Sequence, residues 1–131
     1  MVELRCPVSK AFLERVISAC ERIAPLRYAD STWDNVGLIA ESPLPLRQKR
    51  VLVTNDLSMA ILEEAVQKEA SVVIAYHPPW FKAAKTLKSS GPLVVINLCI
   101  AHGISVYSPH TALDAIKNGS KIAERMNVLT V

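Results

Sequence analysis

Three short apolar runs each stop at residues that can hold protons or metals. Val51–Val53 gives way to Thr54, Asn55 and Asp56, Val72–Ala75 to Tyr76 and His77, and Ile104–Tyr107 to Ser108, His110, Thr111 and Asp114. Imidazole nitrogen and carboxylate oxygen are what a divalent cation needs, and donors spread over several strand ends can approach one ion from different directions. Open α/β sheets bind ligands outside the carboxyl ends of their strands, where these residues fall. A metal site is the sharp reading of that coincidence.

Each residue also has a plainer reading. Asp56 could cap the helix that follows it. His77 could be a hydrogen-bonded histidine at a strand end as readily as a ligand or a general acid-base group. His110 and Asp114, four apart, could form a loop-stabilising pair, the contact by which a carboxylate also holds a metal-bound imidazole. His102, near a helix C-terminus, suits dipole compensation or the surface. Lys82, Lys85 and Lys88 recur at steps of three, so on a helix they would share a face, either solvated or a phosphate-contacting edge. Trp33 and Trp80 read as core or subunit-interface aromatics rather than base-stacking platforms, since no basic stripe accompanies them.

Helices and strands must position these groups, and the pattern supplies them in alternation. Ser9 is the expected N-cap of a helix from Lys10 to Ile23, with Phe12, Val16, Cys20 and Ile23 at helical spacing and Pro25 at its end. Val36–Ala40 reads as a short edge strand, followed by the proline-bearing connector Ser42–Leu46. Val51–Val53 is a β-branched run, Ser58–Glu69 a helix with Ile61, Leu62, Ala65 and Val66 on one face, and Val72–Ala75 a buried strand that Pro78 and Pro79 stop. Pro92 and Gly103 bracket a third helix, and Ile104–Tyr107 is the next strand. A last helix is expected over Ser120–Met126. The order β-α-β-α-β predicts an α/β fold, a parallel or mixed sheet with flanking helices, in one domain spanning residues 1–131.

Composition narrows the class further. The 131 residues are 50% hydrophobic and 21% charged, the balance of a globular chain with one core. No apolar run reaches the roughly 18–20 residues needed to span a bilayer, and residues 1–10 have neither a signal-peptide core nor an Arg-rich leader. A cytoplasmic location is expected, with the nucleus open. Cys6, Cys20 and Cys99 match no zinc knuckle or disulfide framework and are expected to be reduced, the last two as small core residues. A net charge of +3 is too slight to argue for nucleic acid.

Four segments occur in order: Trp33-Asp34-Asn35-Val36-Gly37-Leu38, Thr54-Asn55-Asp56-Leu57, Ala75-Tyr76-His77-Pro78-Pro79 and Ser108-Pro109-His110-Thr111-Ala112-Leu113-Asp114. Together they resemble the NIF-three-like family, also called YbgI-like and in places GTP cyclohydrolase I type two. The resemblance implies an α/β protein of two intertwined halves, assembled into ring-shaped hexamers with two divalent metals per subunit facing an internal cavity. By position, His77 matches the second His of a His-His metal motif and Asp114 a bridging carboxylate. His110 matches a recurrent His close to the site, with Tyr76, Asp56, Asn55 and Thr111 around it. The ion would be zinc, iron or manganese.

The chain departs from the family pattern in two places. Tyr76 stands where many members carry a first His, although those of eukaryotic type share Tyr-His-Pro-Pro, and a phenol is a poor ligand unless its pKa falls well below ~10. The family's remaining ligands, a His and a Glu one helical turn apart, belong to a C-terminal half that this chain does not contain, whether it is a fragment or a short form. Weak metal binding and no turnover by this chain alone are therefore expected. Full-length relatives would be metal-dependent hydrolases acting on a nucleotide or similar phosphorylated compound. The rival reading is a non-enzymatic interaction protein, a partner of transcriptional regulators. Self-association is expected; membrane and nucleic-acid partners are not.

Overall fold

The computed structural model describes residues 10–45 and 47–116, so Ser9, Cys6 and the helix expected over Ser120–Met126 lie outside the described residues. Nine elements follow one another among the described residues. They are α1 (Ala11–Ile23), a 3-10 turn (Leu26–Tyr28), β1 (Gly37–Ala40), β2 (Val51–Thr54), α2 (Met59–Gln67), β3 (Val72–Ala75), α3 (Val94–Ala101), β4 (Ser105–Ser108) and α4 (His110–Ile116). The strands form one sheet in the order β1-β4-β3-β2. β2 pairs with β3, and β3 with β4, in parallel, as the β-α-β-α-β pattern requires. β1 lies at the edge expected of it and runs antiparallel to β4, Gly37 opposite Ser108.

Period-two alternation divides the sheet between two layers. Val73, Ala75 and Val106 meet Leu62 and Ala65 of α2 and Ile96 and Cys99 of α3 on one face. Val72 and Ile74 meet Leu13, Val16, Phe12, Ile17 and Cys20 of α1 on the other. Helical spacing puts this stripe on one side of α1, although Ile23, expected to join it, is at the surface. Cys99 is fully buried and Cys20 half-buried, and burial pushes their thiols up to about 12 and about 11, so both stay protonated.

Local boundaries follow local chemistry. Gly37 opens β1 at φ +96°, and a Cβ there would come within 3.0 Å of Leu26 Cδ1, so the glycine of the Trp33–Leu38 segment answers both a backbone and a space requirement. Gly103, at φ +75°, ends α3 as the pattern predicts. Pro92, by contrast, is not in the first turn: α3 begins at Val94, whose N–H closes a turn onto the Gly91 carbonyl at 3.2 Å. The stretch from residue 76 to 93 forms no helix, so Lys82, Lys85 and Lys88 share no helical face and all three are exposed. α4 is a helix that the sequence reading did not anticipate.

The cap of α2 is Ser58, whose hydroxyl accepts from the Ile61 N–H at 3.3 Å, and not Asp56. Ser58→Ala should therefore cost about 1 kcal/mol in a denaturant melt, while Asp56→Ala should leave the midpoint nearly unchanged. A larger loss from Asp56→Ala than from Ser58→Ala would reassign the cap.

Candidate functional site

The parallel ladder continues one step past the ends of β2 and β3. The Tyr76 N–H donates to the Thr54 carbonyl and the His77 N–H to the Asn55 carbonyl, both at 3.0 Å. That register sets His77 beside Asp56, and His77 Nδ1 lies 2.9 Å from Asp56 Oδ1, with both side chains open to solvent. The expectation that several strand ends deliver polar groups to one edge holds for these residues. His102, the C-cap of α3, belongs to the opposite end of the sheet.

Because β1 runs against β4, the residues just before it arrive at the same edge. Asp34 is among them, and its fully covered side chain lies 2.9 Å from Nδ1 of His110. Its carboxylate also accepts from the Thr111 N–H at 3.2 Å and from the Thr111 hydroxyl. The Thr111 oxygen in turn accepts from the Asp30 N–H at 3.0 Å, so two loop residues and the start of α4 form one network. Burial opposes ionisation of Asp34, yet hydrogen bonds from His110, Thr111 and the Asn35 N–H outweigh it and hold the carboxyl below its ordinary range. His110 itself sits at φ +26°, an uncommon conformation for a residue with a Cβ, and strain of this kind gathers at functional sites.

One turn further along α4, Asp114 accepts a hydrogen bond from the Tyr76 hydroxyl. That bond, aided by burial and the charge of Asp114, pushes the Tyr76 phenol up to about 12. Tyr76 is therefore a donor to a carboxylate at neutral pH and not a phenolate ligand. The carboxylate that orients His110 comes from Asp34, outside α4. The rings of His77 and His110 have centroids 5.5 Å apart, and Tyr76 packs edge-on against both, at 4.7 and 5.3 Å. Among the described residues no three His, Cys, Asp or Glu side chains are already gathered around one point. The donor set still suits a cation: each imidazole has its Nδ1 on a carboxylate, which leaves Nε2 for coordination, the usual arrangement behind a metal-bound histidine.

Asp34 was missing from the candidate residues, and so was Trp33, whose ring stands edge-on to His110 at 6.0 Å and whose indole N–H is held by Asp30 at 2.7 Å. The signal available was their place in the Trp33–Leu38 segment, directly before an expected edge strand. What was lacking was that strand's direction.

An α/β sheet with imidazoles and carboxylates gathered at its parallel strand ends defines a class of protein, and relatives sharpen it. Residues 11–130 match the family described as Duf34/NIF3 (NGG1p interacting factor 3), and the chain belongs to that family. It is 37% identical to NIF3-like protein 1 of Drosophila melanogaster over 91% of this chain and 41% of that protein, and 34% identical to the NGG1-interacting factor 3 of Saccharomyces cerevisiae over 86% and 42%. In solved structures it resembles a Staphylococcus aureus hypothetical protein (TM-score 0.69, 30% identity, 78% of this chain and 33% of that one). It also resembles a Bacillus cereus protein related to NIF3 (0.68, 31%, 77% and 28%). The chain thus spans 41% or less of the animal relatives it matches.

The buried Asp34 carboxylate is the costliest contact at this edge to remove. Asp34→Ala should lower stability by about 1–3 kcal/mol, because it strands the Thr111 donors and the His110 ring. Denaturant melts check this, and a loss below about 0.5 kcal/mol would mean that solvent replaces the carboxylate freely.

Proposed function

We propose that this chain contributes a divalent-metal site, with His77 and His110 ligating through Nε2 and Asp114 through a carboxylate oxygen, to a metal-dependent hydrolase acting on a nucleotide or similar phosphorylated compound. The observation that carries the proposal is the pair of imidazoles, 5.5 Å apart, each turned by a carboxylate at 2.9 Å. Zinc, iron or manganese would each accept such donors. A bound ion would lower the pKa of a water and polarise a phosphoryl oxygen. The chain's own part is orientation: Asp56 and Asp34 set the imidazoles, and Tyr76 holds Asp114.

A second reading has its own observation. β2 is an edge strand whose outward Val51 and Val53 are 38% and 73% exposed, a surface of the kind that pairs with another chain. The yeast relative is named for interaction with a partner. On this reading the chain is an interaction module, either self-associating or bound to another protein. A metal-loaded full-length protein that cleaves no phosphoester but captures a partner would favour it. No helix is long and apolar enough to cross a membrane among the described residues.

His77 is at the surface and carries no core packing, so His77→Ala should leave the denaturant midpoint nearly unchanged while abolishing zinc uptake in titration calorimetry. Uptake in the parent chain should be weak, since catalytic zinc ordinarily draws on three protein ligands already in place. Unchanged zinc uptake in His77→Ala would overturn the metal site.

A further inference from the structure

The connection from residue 76 to 93 encloses a pocket of about 680 Å³, within the range of small-molecule sites. Trp80, Phe81 and Leu93 line it, with Lys82 and Lys88 at its wall, while Lys85 takes no part in the lining. A second recess of about 470 Å³ shares Trp80, Phe81 and Lys82 and opens onto Asp34 and Asn35. The wall between them is tied to the histidine edge twice. The Asn35 side-chain amide donates to the Trp80 carbonyl. Trp33 bridges Phe81 and His110 by edge-on ring contacts at 6.1 and 6.0 Å.

The connection itself carries charge of one sign, and among the described residues the only carboxylate lining its two recesses is Asp34, at the far side of the second. No Asp or Glu occurs between Glu69 and Asp114, a stretch that holds Lys82, Lys85 and Lys88. None of the three lysines has a carboxylate within ion-pair distance among the described residues. Exposed aromatic and aliphatic surface, unneutralised ammonium groups and a long irregular loop beside a polar edge describe a site for a ligand with a flat apolar body and an anionic group. Spacing along the chain does not disclose this, since only the folded loop draws Lys82 and Lys88 around Trp80.

We propose that the 79–93 connection is a recognition arm for a nucleoside phosphate. Trp80 and Phe81 take the base, Lys82 and Lys88 take the phosphate, and the Trp33 bridge keeps the ligand beside His110. The assignment deepens the phosphorylated-substrate reading and rests on it for the ligand's orientation toward the histidines. Binding itself needs no metal.

Trp33 and Trp80 are the chain's two tryptophans, so intrinsic fluorescence reads this arm directly. Adenosine monophosphate should quench it saturably in the presence of a chelator. Adenosine alone and inorganic phosphate alone should each bind at least ten-fold more weakly, because each supplies one half of the recognition. The double substitution Lys82→Glu with Lys88→Glu should weaken binding ten-fold or more, Phe81→Ala several-fold, and Lys85→Glu much less. Equal losses from Lys85→Glu and from the pair would reduce the arm to general basicity and overturn it, as would quenching by inorganic phosphate equal to that by the nucleotide. Absent nucleotide binding with zinc uptake retained overturns the arm alone. Nucleotide binding with no zinc uptake supports the arm and overturns the metal site.

Discussion

Asp34 is a carboxylate taken out of water, and the chain must supply what water gave it. An unpaired buried charge would be among the most expensive things this small protein could hold. The His110 ring, the hydroxyl and N–H of Thr111 and the N–H of Asn35 meet that demand. Those donors come from the loop before β1 and from the start of α4, far apart in sequence, so the carboxylate fixes how the two segments meet. The unusual backbone of His110 and the contact between α4 and the Leu26–Tyr28 turn belong to the same joint.

Three carboxylates thus serve one edge in three environments. Asp34 is covered and holds His110, Asp56 is open to solvent and turns His77, and Asp114 is reached by the Tyr76 hydroxyl. The difference follows from position. Asp34 is closed in against His110 and Thr111 at the start of α4, whereas Asp56 follows the end of β2, the outer strand in the sheet order. A ligand at this edge would find one imidazole held rigidly and the other held by a contact that solvent can replace. On the far side of Trp33 lies an acid-free, lysine-bearing loop, so negative and positive surfaces adjoin within one connected group of residues.

The two outer strands of the described sheet differ. β1 closes the edge at β4 with a bulge between Leu38 and Ala40 that interrupts regular pairing. Among the described residues β2 has no neighbour on its outer side, and it carries the exposed Val51 and Val53. The chain also spans only part of the length of the relatives it matches.

The amino-acid sequence by itself determined the parallel β2-β3-β4 unit, the core face of α2 and part of that of α1, where Leu13 and Ile17 join the core and Ile23 does not, and the delivery of Tyr76, His77, His110, Thr111 and Asp114 to one end of the sheet. These depend on local periodicity and on crossover handedness, which residue order encodes directly. It also carried the family, through four segments that include Gly37, a glycine required by its φ of +96°. Tertiary structure alone decided that Asp34 and not Asp114 orients His110, and that Lys82 and Lys88 gather about Trp80. The direction of β1 is a choice between two pairings of similar local propensity, and it is made by packing across the whole sheet. An irregular loop has no period from which to read its neighbours. Contacts of that kind exist only once distant segments have been brought together.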